Sequence, residues 1–380
     1  MSRAAIARRH LPAALALALL LALPAACATP PAAASPAAPA EETGTLDGAP
    51  YRIDVPTDWN GELVVLAHGF EPVGVPRASP WPANDATPVF LSAGYAVAQS
   101  GYATQGWAVA DGIEDSERLR RHFVAYRGAP RRTWLVGFSM GGAVAVASLE
   151  RHPSHYDGAL SLCGANMPGA VLADALFTTL VAFDALFPDA AGLPDGGLSG
   201  PAAAALGQMD VMNAVAAALP GNPDAAALLA ARLEVPVDAV PGIVGLHALI
   251  FHDVQRRAGG PPVDNRGTRY TGFGDDDAFN AAVPRRAGDA AAIARAASAP
   301  ALSGRVDKPL VLQYNAYDPT IAPRFQPIYA RLARQAGGGV QPVTLPEMGE
   351  GHCDFSGEQI AHAFGVLTRW ATTGQRPAGD

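Results

Sequence analysis

Short runs of consecutive apolar residues recur along the chain, each closed by glycine or a polar turn. "ELVVLAHG" (Glu62–Gly69), "GYAVAQSG" (Gly94–Gly101), "RTWLVGFS" (Arg132–Ser139) and "GALSLCG" (Gly158–Gly164) read as strands. "PLVLQYNAYD" (Pro309–Asp318) and "VQPVTLPEMG" (Val340–Gly349) follow far downstream. Stretches of helical period lie between them, with Ile113, Leu119, Phe123 and Tyr126 near one face of the first. The last helix is announced by the capping-box pattern "SGEQ" (Ser356–Gln359), with Ile360, Phe364 and Leu367 at i, i+4 and i+7. Apolar runs without alternation mean strands buried on both faces, which a parallel sheet covered by helices provides. The pattern predicts an α/β fold built on a mostly parallel, doubly wound sheet.

The rhythm breaks over residues 165–300. Helical spacing continues at Leu172, Leu176, Leu180 and Phe183, but loop-like pieces such as "PDAAGLPDGGLSGP" and "GFGDDDAF" interrupt it. Asp174 and Asp184 argue against a membrane span there. The stretch reads as a largely helical cap inserted between two strands of one domain, formed by residues 47–164 and 301–380. "DDD" (Asp275–Asp277) reads as a solvated turn, since it lacks the spacing of a calcium loop.

Composition narrows the class. Of 380 residues, 49% are hydrophobic and 16% charged, enough for a sizeable core. The net charge is −8, and among 27 basic residues only Lys308 is a lysine. No basic run exceeds a short arginine pair, which excludes a nucleic-acid partner. Arg3, Arg8 and Arg9 precede the apolar run Leu11–Leu23 and then small residues, the layout of a secretory signal over residues 1–27. Cys27 stands where a lipoprotein signal carries its lipidated cysteine, although Pro24 occupies the position that usually holds leucine. Lipid anchoring through Cys27 and ordinary cleavage near Ala28 both fit, and both predict export, to the periplasm, the medium or the membrane surface. Residues 28–46 read as a flexible Pro/Ala linker. Two further cysteines, Cys163 and Cys353, are an even pair that an oxidising compartment would join; two buried free thiols are the alternative.

Candidate chemistry centres on "GFSMG" (Gly137–Gly141), at a predicted strand-to-helix junction. In the pattern Gly-x-Ser-x-Gly a sharp turn strains the serine backbone and lifts its hydroxyl clear. Ser139 is therefore the candidate nucleophile, and it needs a base to take its proton. His10 lies in the signal. His122, His152, His155 and His362 fall in or beside helices, and His247 and His252 in the insertion. His352 differs: it sits in the glycine-flanked loop "MGEGHCDF", after a strand and before the last helix. Asp318 ends a strand and precedes Pro319, at the carboxyl edge where catalytic groups of open α/β sheets gather. Asp307 precedes the same strand, at the wrong edge; Glu347 and Glu350 share the histidine's own loop.

The order Ser139, Asp318, His352 resembles the α/β-hydrolase superfamily, specifically its exported, cap-bearing serine esterases. The resemblance covers roughly Asp47–Gly164 and Arg305–Trp370. It implies hydrolysis of a small-molecule carboxylic ester through an acyl-enzyme, with no metal and no organic cofactor. "AHGF" (Ala67–Phe70) resembles the family's His-Gly motif, which implies an oxyanion site formed by the amides of Phe70 and Met140, with His68 structural. Tannases and fungal-type feruloyl esterases also place a cysteine directly after the histidine, as Cys353 is here. They place another directly before the serine, where this chain has Phe138, so the similarity is partial. Cys163, ending the strand after the nucleophile strand, could bridge to Cys353 and pin the base. Tyr102 and Trp107, in "SGYATQGWAV", are candidate pocket residues, with packing on the core as the alternative. A serine aminopeptidase or iminopeptidase of the same fold is the second reading of function. Nothing in the sequence sets an oligomeric state.

Overall fold

The computed structural model describes residues 40–378. The expected signal segment, Cys27 and most of the expected linker lie outside them. An eight-stranded sheet organises the described chain, in the order β1-β2-β4-β3-β5-β6-β7-β8. The strands are β1 (Ala40–Leu46), β2 (Ala49–Val55), β3 (Glu62–Ala67), β4 (Ala96–Ser100), β5 (Arg132–Phe138), β6 (Gly158–Leu162), β7 (Leu310–Gln313) and β8 (Val343–Thr344). β1 pairs antiparallel with β2, and β2 with β4; all other pairings are parallel.

The linker expected over residues 28–46 ends earlier than predicted, because residues 40–46 are strand β1. Its positions are exposed or half-buried, so no apolar run marks it. The hairpin is closed by Asp47 and Gly48, at φ 48° and 86°, the paired positive angles of the tight Asp-Gly turn.

The central strands are buried on both sides, as their apolar runs require. Leu63, Val65, Ala67 and Leu135 face one core, while Val64, Leu66, Trp134 and Val136 face the other. The first core is covered by α2 (Val109–Arg127), which follows the short α1 (Thr87–Leu91), and by α3 (Met140–Arg151). Between β6 and β7 the chain leaves the sheet and builds α4 (Gly169–Leu186), α5 (Gln208–Ala218), α6 (Pro223–Leu233), α7 (Val240–Ala258), α8 (Asp276–Ala282) and α9 (Ala290–Ala297). α4 and α7 pass for membrane spans by length and composition, but most of each is buried against its neighbours. Asp184, far from facing lipid, accepts the amides of Leu198 and Ser199 at 2.7 and 2.9 Å. Asp275 of the acidic run caps α8 by accepting the Ala278 amide. α10 (Pro327–Ala336) and α11 (Gly357–Thr373) complete the chain; α11 carries the predicted capping box at Ser356 and Gln359 and covers the second core.

Candidate active site

Ser139 sits between β5 and α3 at φ 54°, ψ −122°. This is a strained backbone for a residue with a Cβ, and it persists because its neighbours hold it. Its amide donates to Leu162 O at 3.1 Å, while its carbonyl accepts from Gly142 and Ala165 at 2.9 and 3.1 Å. The flanking glycines are steric necessities. A Cβ on Gly137 would overlap the Gly141 carbonyl, and one on Gly141 would overlap the Ala67 carbonyl.

Asp318 and His352 come from the loops after β7 and β8, as parallel strands demand when their carboxyl ends share one edge. His352 Nε2 is 2.8 Å from Ser139 Oγ. On its other side, His352 Nδ1 lies 2.9 and 3.0 Å from the two Asp318 oxygens. Asp318 is 2% exposed, and its Oδ1 also accepts the amides of Thr320 and Ile321 at 2.8 and 2.9 Å. Those backbone donors fix the plane of the carboxylate.

The histidine loop is strapped to the aspartate loop. Gly351 N donates to Tyr317 O at 2.8 Å, and Ala316 N to Gly349 O at 2.9 Å. Asn315, fully buried, spans both loops. Its amide nitrogen donates to Met348 O and Asp354 O, and its oxygen accepts Cys353 N at 3.2 Å. Cys353 is joined to Cys163 by a disulfide, and its Sγ packs 3.7 Å from His352 Nε2. Cys163 N is held in turn by Gln313 O at 2.8 Å, so the bridge hangs from the end of β6. The sequence reading passed over Asn315 and the Thr320 and Ile321 amides. Asparagine after a buried strand and "DPT" (Asp318–Thr320), an Asx-turn pattern, were the available signals.

The other predicted residues divide. Phe70 lines the same cavity as Ser139. Met140 is the first residue of α3, where a helix amide has no intrahelical partner. Gly69, next to Phe70, approaches the serine closely: a Cβ there would stand 3.3 Å from the Ser139 Cβ. His68 stacks on Tyr102 with ring centroids 4.0 Å apart, and its Nδ1 lies 2.8 Å from Gly69 O. Burial brings its pKa down to about 4, so the ring is neutral at ordinary pH. Trp107 is in the cavity wall, but Tyr102 is not: it lies behind His68, fully buried, donating to His68 O at 3.1 Å.

The cavity over Ser139 and His352 holds about 350 Å³. The insertion supplies much of its wall through Leu172 and Leu176 of α4 and Leu246, His247 and Ile250 of α7. Asp253 of α7 ties this wall to the loop between β4 and α2 by accepting the Trp107 amide at 2.5 Å. A larger hollow of about 490 Å³, lined by Arg232, Arg324 and Arg331, adjoins it at Ala175 and Phe325 but contains neither Ser139 nor His352. Among the described residues, no three His, Cys, Asp or Glu side chains are grouped to share a metal ion.

No protein-family model and no curated protein matches the sequence. Solved structures are similar at low identity. Est1E from Butyrivibrio proteoclasticus is 11% identical, with a TM-score of 0.42, over 88% of this chain and 99% of its own. An acylaminoacyl peptidase from Pyrococcus horikoshii is 11% identical, with a TM-score of 0.42, over 90% of this chain and 43% of its own. A puromycin-hydrolysing peptidase from Mycobacterium tuberculosis is 14% identical, with a TM-score of 0.44, over 90% of this chain and 40% of its own. The chain thus spans less than half the length of either peptidase. By its own strand order, with the serine turn after β5 and the aspartate and histidine loops after β7 and β8, the chain has the α/β-hydrolase fold.

Proposed function

We propose that the protein is an exported serine hydrolase that cleaves carboxylic esters through an acyl-enzyme. The observation that carries this reading is the unbroken hydrogen-bonded series from Ser139 Oγ through His352 to Asp318. His352 takes the hydroxyl proton as Ser139 attacks the ester carbonyl, and Asp318 stabilises the imidazolium that forms. The oxyanion is held by the amides of Phe70 and Met140; each such donor contributes about 10²–10³ in rate. His352 then returns the proton to the departing alcohol. Water, deprotonated by the same imidazole, attacks the acyl carbonyl and frees Ser139. No step calls on a metal or an organic cofactor.

The cavity wall supports an ester over an aminoacyl substrate. An aminopeptidase needs an anionic partner for the substrate's ammonium group, and among the described residues the wall of this cavity contains no carboxylate. Residues 165–300 act as the cap that shapes this cavity. Export is supported by the arginine-led apolar segment at the N-terminus and by the Cys163–Cys353 disulfide, which an oxidising compartment preserves. Cys27 offers a lipid attachment to a membrane in the same compartment. The likeness to tannases extends to the cysteine after the base, which is bridged here to Cys163, with Phe138 before the serine.

Steady-state hydrolysis of matched alkyl esters and aminoacyl amides by wild type and Ser139→Ala tests the assignment. Ester turnover that vanishes in the variant is expected. Amide turnover well above ester turnover would replace the esterase with the aminopeptidase.

A further inference from the structure

His247 takes no part in the Ser139–His352–Asp318 series, yet it lines the same cavity. Histidine is an unusual choice for this wall. Leu172, Leu176, Leu246, Ile250, Ile321 and Phe325 around it are apolar, and the indole N–H of Trp107 is already directed at Ala299 O. Outside Ser139 and His352, Thr320 is the other polar side chain in the lining. His247 is 6% exposed as a residue, so its side chain is largely withdrawn from bulk water. A polar atom in that position costs stability unless something bonds to it.

One nitrogen is accounted for. Nδ1 lies 2.9 Å from the Thr179 hydroxyl on α4. That hydroxyl has a single proton, and it donates one turn back to Ala175 O at 3.3 Å, a familiar habit of threonine within helices. Thr179 Oγ1 is then an acceptor toward His247, which puts the imidazole proton on Nδ1 and leaves a lone pair on Nε2. His247 has no further hydrogen-bond partner among the described residues. Burial, with a smaller contribution from the nearby Arg324 charge, lowers its pKa to about 3, so the ring stays neutral and keeps that lone pair.

We propose that His247 sets the specificity of the cavity: Nε2 accepts a hydrogen bond from a hydroxyl carried on the otherwise apolar substrate chain that fills it. The preferred ester is therefore hydroxylated at one defined position, and its unsubstituted analogue covers Nε2 without pairing it. This inference rests on the ester reading above.

The test is a hydroxyl scan of binding, made in Ser139→Ala protein so that no turnover is needed. Ethyl hexanoate and hexyl acetate are compared with their monohydroxylated derivatives, the hydroxyl moved along the six-carbon chain, by titration of the tryptophan fluorescence to which Trp107 contributes. One position is expected to bind about tenfold more tightly than its unsubstituted parent, the scale of one well-made neutral hydrogen bond. In Ser139→Ala/His247→Leu that ratio falls to about one, and His247→Gln, whose amide oxygen can accept the same bond, restores part of it. Equal binding at every position in the Ser139→Ala protein overturns the proposal, even if the leucine variant fails to fold. A preference that survives in the leucine variant overturns it as well, and shows His247 to be only a packing residue bonded to Thr179. Because binding is read without hydrolysis, a wild-type protein that cleaves no ester refutes the catalytic reading separately.

Discussion

At the residue scale, the site depends on holding one imidazole in one tautomer. His352 must present a lone pair at Nε2, 2.8 Å from Ser139 Oγ, which requires its proton on Nδ1 facing Asp318. Asp318 can only accept there, and the Thr320 and Ile321 amides leave it no freedom to rotate away. An asparagine at 318 that keeps the backbone donors on its oxygen would turn its N–H₂ toward the ring, and that favours the wrong tautomer. Asp318→Asn is expected to lower kcat by about 10⁴-fold with KM changed far less. A loss of tenfold or less would show that His352 is oriented by its loop alone. His68 is the contrasting case: a histidine beside the serine, neutral and stacked on Tyr102, that shapes backbone and moves no proton.

At the element scale, what was legible follows from burial. β3 to β7 are covered on both faces, so each reads as an uninterrupted apolar run, and their order carried Ser139, Asp318 and His352 to one edge. β1 escaped because an edge strand shows polar and apolar residues alike, although the Asp47–Gly48 turn was there to be read. The helices of the insertion were visible as periodicity, but which of their residues reach the cavity was not. Periodicity marks the buried side of a helix without telling a core contact from a cavity wall, and so His247 was not separated from His252. His252 Nε2 donates to Leu198 O inside the insertion. The disulfide links β6 to the histidine loop across a sequence separation of 190. A bridge closing so long a loop contributes about 2–4 kcal/mol. Cys163→Ser/Cys353→Ser is expected to lower Tm by several degrees and to reduce kcat through a looser His352. Titration of the native, non-reduced protein should find neither of these two thiols free. Both reacting with a thiol reagent under non-denaturing, non-reducing conditions would remove the bridge from the account.

For the whole molecule, two buried neutral histidines couple stability to acidity. The pKa values of His68 and His247 are lowered by burial to about 4 and about 3, against about 6.5 in the unfolded chain. Between pH 6.5 and 4 the unfolded chain therefore binds protons that the folded one refuses, so stability falls as pH falls through that window. Each such group steepens the slope by at most about 1.4 kcal/mol per pH unit. Urea midpoints measured at pH 7.5 and pH 5 should drop on acidification, and by less in His68→Gln; an unchanged midpoint would mean that these rings are hydrated. The same assembly of sheet edge, strapped loops and insertion exists, on this account, to make one hydroxyl out of the whole chain reactive. Intact-mass analysis after treatment with a fluorophosphonate measures that directly. A single adduct is predicted, located on Ser139 by peptide mapping and absent from Ser139→Ala. Labelling of another residue, or ester hydrolysis that persists unchanged in unlabelled Ser139→Ala, would contradict it.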